Sequence, residues 1–160
     1  MNYPKVSIIV INWNGVEDAI ECLESLKKMT YPNYEVIVVD NASVGNDVEL
    51  LQQRFGEEIH IIENDRNYGF AQGCNIGIRH AKDVLLPDYI VLLCNDMVVA
   101  PDFLTQLVLA AEANPEIGIV GATIYQYNSQ GKSNVMESSG GKITPWRHPI
   151  YRSIKADSEA

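Results

Sequence analysis

The sequence predicts an α/β fold built on a mostly parallel sheet. Short runs rich in Val and Ile recur at Lys5 to Ile11, Glu35 to Val39, Ile59 to Ile62, Tyr89 to Cys94 and Ile117 to Ala122. Stretches with helical spacing lie between them, and strands alternating with helices imply parallel pairing through crossovers. Three of the runs also end in Asp or Asn. Val6 to Ile11 leads into Asn12-Trp13-Asn14, Val36 to Val39 into Asp40-Asn41, and Tyr89 to Cys94 into Asn95-Asp96. Open α/β sheets bind ligands beyond the carboxyl ends of their strands, so these residues predict one polar site on that edge.

Each element has its own signal. Lys5 to Ile11 is continuously apolar, as in a strand buried on both faces. Asn12 to Gly15 is a turn. From Val16 to Met29 the residues Val16, Ala19, Ile20, Leu23 and Leu26 share a helical face. Glu17 and Asp18 in its first turn and Lys27 and Lys28 in its last suit the helix dipole. Tyr31-Pro32-Asn33 ends that helix. Glu35 to Val39 follows the first strand by about thirty residues, the span of a strand-helix-strand unit. Asp47 to Phe55 reads as a helix closed by Gly56, and Ile59 to Ile62 as the third strand. Asn67 to Gly73 is a glycine-bearing loop opening into a helix that runs to about Lys82. Tyr89 to Cys94 is the fourth strand. Pro101 to Asn114 is a helix with Pro at its first position and Asp102 in its first turn. Ile117 to Ala122 is the fifth strand. Beyond Ala122 the pattern weakens. Asn128 to Lys132 and Ser138 to Lys142 are turn-rich, Val135 to Glu137 and Lys142 to Thr144 read as short antiparallel strands, and no periodicity continues from Pro145.

Bulk properties narrow the function. The 160 residues are 46% apolar, enough for one domain with a core. No apolar run approaches the about 20 residues that span a bilayer, and Met1 to Lys5 lacks the features of a signal peptide. These features predict a cytoplasmic protein, free or at the inner membrane face. Cys22, Cys74 and Cys94 have neither disulfide nor zinc spacing and read as reduced, mostly buried thiols. The net charge of −9 concentrates in an acidic body, which argues against nucleic acid. The basic tail residues Lys142, Arg147, His148 and Arg152 could meet phosphates or be a solvated end.

Asp96 leads the candidate site. A lone carboxylate after a buried strand is costly unless it binds something. Mg²⁺ or Mn²⁺ suits it, since such ions take one or two carboxylates plus substrate phosphates. The competing reading, a helix cap, is disfavoured because Pro101 starts the next helix too far along. Asp40, with Asn41 and Ser43, could accept hydrogen bonds from a ribose or base, or simply make a turn. In Asn67 to Asn75 small residues allow close backbone approach. Arg66 precedes it, placed to meet phosphate, and Asn75 is expected to bond a neighbouring loop. Gly69, Gly73 and Gly77 form neither a P-loop nor a dinucleotide fingerprint. Ser7, Ser25 and Ser43 lack a nucleophile elbow. His60 and His80 read as structural or exposed.

In order and spacing these pieces resemble the family 2 glycosyltransferases, of the rhamnosyltransferase-like branch. Val6 to Gly15 is similar to that family's opening strand and loop, Val38 to Ser43 to its nucleotide-contacting turn, Asn67 to Gly77 to its Asn-x-Gly segment, and Leu92 to Asp96 to its Asp-x-Asp strand. The resemblance implies a GT-A, Rossmann-like nucleotide-diphospho-sugar transferase fold. Residues 1–122 would be the nucleotide-sugar-binding core and 123–160 the start of an acceptor-side region. It also implies roles. Ile11, Asn12, Trp13 and Asn14, with Asp40, Asn41 and Ser43, would bind the nucleoside. Arg66, Asn67 and Gly69 would lie along base and diphosphate, with Asn75 and Asn95 nearby, and Asp96 would hold Mn²⁺ or Mg²⁺. The reaction would be inverting transfer of a sugar from a UDP- or dTDP-sugar to a carbohydrate or lipid-linked acceptor in cell-surface polysaccharide synthesis. Peripheral membrane association and homo-oligomers are compatible with it.

Two departures accompany the resemblance. Cys94 stands at the first acidic position of Asp-x-Asp, leaving the metal to Asp96. The family's acceptor site and general base, in a segment after Gly140-Gly141-Lys142, have no counterpart before Ala160, and Glu159 is too near the end to serve. The sequence therefore predicts a donor-binding portion with its base beyond Ala160. A non-catalytic nucleotide-sugar-binding module is the alternative. A nucleotidyltransferase is disfavoured, because Asn12-Trp13-Asn14-Gly15 lacks basic residues.

Overall fold

The computed structural model describes residues 3–128, 131–143 and 149–151. Thr144, Pro145, Arg147, His148, Arg152 and Glu159 lie outside the described residues. The chain divides into two compact units, Met1–Asp102 and Phe103–Ala160.

The first unit is a four-stranded parallel sheet in the order β3-β2-β1-β4. Its strands are β1 (Val6–Asn12), β2 (Tyr34–Asp40), β3 (Ile59–Glu63) and β4 (Tyr89–Cys94). All seven residues of β1 are buried, which explains its unbroken apolar run. The connections α1 (Val16–Leu26) and α2 (Asp47–Phe55) step outward from β1 to β3, and α3 (Gly69–His80) carries the chain back to β4 on the other side of β1. Strand order therefore reverses between β1 and β4, and the crevice beyond their carboxyl ends is the place for a ligand. The register sets those ends level, with Asn12 opposite Asp40 and Ile11 opposite Cys94.

Helices cover both faces. Leu23 and Leu26 of α1 and Phe55 of α2 line one cleft with Val36 and Ile59. On the opposite face Ile9, Ile11, Ile37 and Val39 pack with Cys74, Ala81 and Leu85. The glycine spacing of α3 belongs to this second contact. A Cβ on Gly77 would lie 2.6 Å from Ile9 Cγ2 and 3.1 Å from Val39 Cγ2, and one on Gly73 would lie 3.4 Å from Ile11 Cδ1. These glycines let the helix axis approach the sheet. A π turn, Ala81–Leu85, closes the helix and ends at Leu86 with φ 51°.

At the amino edge of the sheet, far from the strand ends, Glu35 bonds Lys5 at 2.6 Å and His60 at 2.9 Å. His60 is thus a structural residue, its ring 5.9 Å from that of His80.

The second unit contains α4 (Phe103–Glu112) and two antiparallel hairpins. These are β5 (Ile124–Asn128) with β6 (Gly131–Ser138), and β7 (Gly141–Ile143) with β8 (Pro149–Tyr151). Of the stretch Asn128 to Lys132, expected to be turn-rich, Asn128 ends β5 and Gly131 and Lys132 begin β6. The strand expected at 135–137 falls within β6, and residues 142–143 of the one expected at 142–144 fall within β7. Pro101 and Asp102 form the turn before α4 rather than its first residues. Two corrections follow. Residues 117–122 form no strand among the described residues, and Ile119 is 86% exposed. Gly118 and Gly121 weaken an extended segment, and no neighbouring strand supplies a ladder. The stretch after Pro145, read as without pattern, contributes β8.

Two outcomes are expected. Gly77→Ala gains helix propensity of about 1 kcal/mol but drives a methyl into Ile9 and Val39, so a net loss of about 1–3 kcal/mol is predicted by denaturant unfolding. For Glu35, the Lys5 ammonium holds the carboxyl below its ordinary 4.5; burial opposes this and His60 adds to it. A lowered folded value means stability that is complete above pH 4.5 and is lost as pH falls through the lowered value. Melting temperature is expected to fall more steeply from about pH 5 to about pH 3 in the wild type than in Glu35→Gln.

Candidate functional site

The last residue of β1, Asn12, is fully buried and organises the carboxyl edge. Its amide nitrogen donates to Asp40 Oδ1 at 2.9 Å and to Asp47 Oδ2 at 3.0 Å, with Ser43 Oγ at 3.3 Å. Its amide oxygen accepts from Asn95 Nδ2 at 3.0 Å. The amide cannot be turned round, because its oxygen would then face two carboxylates. Asp40, 1% exposed, also receives Ser43 Oγ at 2.6 Å and Ser43 N–H at 2.8 Å. Neither Asp40 nor Asp47 pairs with a cation among the described residues.

These bonds define the neighbouring loops. Ser43 Oγ receives the Asn14 N–H at 2.8 Å, and Asn14 Oδ1 receives Val44 N–H at 2.6 Å. Asn14 and Ala42 both sit at positive φ, 53° and 59°, stabilised by this lacing. Asn41, 2% exposed, takes the Asn64 amide at 2.8 Å and donates to the Gly69 carbonyl at 3.3 Å. It thereby fixes the start of α3 against the end of β2. Asn67 Oδ1 accepts the Gly69 N–H at 2.7 Å. Arg66 stacks on Tyr68, 4.7 Å from the ring centroid, while Tyr68 donates to Asp65 at 2.8 Å.

The expected site residues thus fall into two groups. Ile11, Asn12, Asp40 and Asn41 are buried, and the last three use their side chains on one another and on the loops. Trp13, Asn14, Arg66, Asn67, Gly69 and Asp96 are exposed around them, with Ser43 and Asn95 half-buried. Trp13 is 56% exposed, a free aromatic face at the switch point. Asn75 is corrected: it lies exposed on α3 and bonds no loop among the described residues.

Asp96 follows β4 in a turn closed by Met97 N–H to the Cys94 carbonyl at 3.3 Å. It is exposed, so it bears no burial cost, contrary to the expectation from sequence. It makes no hydrogen bond or ion pair among the described residues. Its charge, after burial, helps raise the Cys94 and Cys22 thiols, the latter to about 12. All three cysteines are free, and these shifts keep them protonated and inert. No three His, Cys, Asp or Glu side chains among the described residues are grouped to hold a metal. An exposed, unpartnered Asp96 nevertheless fits an ion of the Mg²⁺ type, whose remaining ligands are waters and substrate phosphates.

Residues 7–159 match the family described as Glycosyl transferase family 2. The chain belongs to that family. An uncharacterized glycosyltransferase of Haemophilus influenzae is 30% identical over 115 residues, covering 72% of this chain and 37% of that protein. The mannosyltransferase PcManGT of Pyrobaculum calidifontis, solved with GDP-Man and Mn²⁺, superposes with a TM-score of 0.64 at 23% identity, over 81% of this chain and 37% of that one. S. aureus TarS 1-349 with UDP-GlcNAc gives 0.59 at 19% identity, over 76% and 37%. These likenesses show the GT-A glycosyltransferase fold. The chain spans less than half the length of the first of these relatives.

Within this family 2 chain, two members of the network were not singled out from sequence. Asp47 looks like an ordinary acidic residue in a helix's first turn, and Asn64 like part of a turn after β3. Their signal is positional, since both follow strand ends of the parallel sheet by a few residues.

Asn12→Ala leaves two buried carboxylates short of a donor. A loss of about 1–3 kcal/mol per unsatisfied group is expected in chemical unfolding. Asn12→Asp, which sets a third carboxylate against them, is expected to lose more.

Proposed function

We propose that this chain is the donor-binding part of a glycosyltransferase that transfers a sugar from a nucleoside diphosphate, UDP or dTDP, to an acceptor hydroxyl with inversion. The observation that carries the reading is the free carboxylate of Asp96 beside the Asn12–Asp40–Asp47 network at the strand-order switch point. Trp13 offers a face for the base, and the Asn14 and Ser43 loops frame the nucleoside. Arg66, Asn67 and the amino end of α3 present positive charge and N–H groups to the diphosphate. A divalent ion at Asp96, Mn²⁺ or Mg²⁺, would neutralise the diphosphate as it leaves. Neighbours solved with GDP-Man and Mn²⁺ or with UDP-GlcNAc support a nucleotide-sugar donor.

The acceptor on this reading is a carbohydrate or lipid-linked glycan of the cell surface. No helix among the described residues is long and apolar enough to cross a membrane. The proposed place of action is the cytoplasm or the inner membrane face.

Calorimetric titration of UDP and dTDP, with and without Mn²⁺, tests the reading. Binding that Mn²⁺ strengthens, with that gain removed by Asp96→Ala, is the expected result. Absence of binding, or binding indifferent to Asp96→Ala, would overturn it. Mn²⁺-dependent binding without transfer by residues 1–160 alone is expected both of a donor-binding part and of a non-catalytic module, and robust transfer by these residues alone would overturn the donor-binding-part reading.

A further inference from the structure

Asn95 differs from Asp96 beside it in having every amide hydrogen engaged. Its nitrogen donates to Asn12 Oδ1 at 3.0 Å and to the Gly15 carbonyl at 3.2 Å. An amide nitrogen has two hydrogens, so these acceptors use both. The bonds reach across 83 and 80 residues of sequence and tie the turn after β4 to the loop after β1.

Gly15 makes this latch sterically feasible. A Cβ at position 15 would lie 2.6 Å from Asn95 Nδ2. The backbone there has negative φ, −142°, with ψ 43°, so no left-handed conformation calls for glycine, and Asn95 occupies the space that a Cβ would take. On its far side the turn is held by Val99 N–H donating to Ser25 Oγ at 3.1 Å and by Thr30 N–H donating to the Pro101 carbonyl at 2.8 Å. The peptide carrying Asp96 is therefore pinned on both sides while its carboxylate stays free.

We infer that Asn95 is a positioning residue for Asp96, with Gly15 as its spacer, and that this latch aims the carboxylate at the ion on the donor diphosphate. The inference rests on the donor-site reading above. Through Asn12, the same latch joins Asp96 to the Asp40 and Asp47 carboxylates behind the nucleoside loops. Groups that orient a metal ligand without touching the metal commonly change metal affinity by about 10–100-fold when removed.

The test is UDP titration into wild type, Asn95→Ala, Gly15→Ala and the double variant, each with and without Mn²⁺. The readout is the ratio of the two affinities. A general structural defect lowers both affinities in parallel, whereas a positioning defect lowers the ratio. The expected fall is about tenfold or more in each single variant, with the double variant no worse than Asn95→Ala. Parallel losses, an unchanged ratio, or losses that add in the double variant would overturn the latch. A thermal-unfolding cycle on the same four proteins reads the latch without nucleotide. Gly15 is also the N-cap of α1, where Ala costs stability in either background. Gly15→Ala should therefore lower the midpoint more in the wild-type background than in Asn95→Ala, and equal lowering in both overturns the steric link. Wild-type UDP binding that ignores Mn²⁺ overturns the donor-metal reading itself, a result visible before any variant is compared.

Discussion

The side-chain amide of Asn12 faces two buried carboxylates with its nitrogen and a second amide with its oxygen. Burial makes each of these contacts strong and makes its loss expensive. Because donor and acceptor ends are both specified, the amide has one orientation, and so do the loops attached to it. The loop after β1 is set by Asn14 and Ser43, the loop after β2 by Asp40, and the turn after β4 by Asn95. Three loops that diverge in sequence are thus held as one surface. That surface needs the level strand ends that the parallel register supplies.

The register in turn depends on close helix packing. α3 returns the chain across β1 and β2 to start β4 on the far side. It can lie that near only because Gly77 and Gly73 present no side chain to Ile9, Val39 and Ile11. The spacing of four that fails as a phosphate motif is a packing device. It still serves the site, since Asn41 fastens the first turn of the same helix through the Gly69 carbonyl.

Much of the first unit was legible in the sequence, because a strand buried on both faces must be apolar throughout. Residues 6–12 and 36–40 show this plainly, and the edge strands at 59–63 and 89–94, only partly buried, still carry enough Ile, Val and Leu to be read as strands. Residues 117–122 carry the same apolar letters and form no strand, since strand formation is decided by a partner that a local run does not encode. The largely exposed β5, with Tyr125 and Tyr127, gave no alternating pattern strong enough to find. At the site, polar residues at strand ends were visible, but which were buried was not. Asn12 and Asp40 read as ligand contacts, and the structure uses them as supports. The buried role of Asp47 and the latch of Asn95 depend on contacts spanning 35 and 83 residues, beyond any local motif.

The division between supports and free groups has an electrostatic consequence. Among the residues that end the strands of this sheet and the loops that follow them, Asp40, Glu63, Asp65, Asp96 and Asp102 are acidic, with Asp47 at the start of α2, against the one cation Arg66, which is stacked on Tyr68. A diphosphate brought to this edge adds further negative charge within reach of Asp96. Like charges at about 4 Å repel by about 4 kcal/mol even at the moderate effective dielectric of a protein surface. A nucleoside diphosphate at this edge would, on the donor-site reading, call for a compensating cation between the phosphates and Asp96. On the donor-site reading, metal dependence follows from the charge inventory of this edge, with the buried amides holding the carboxylates in place and the exposed one left to meet the ion.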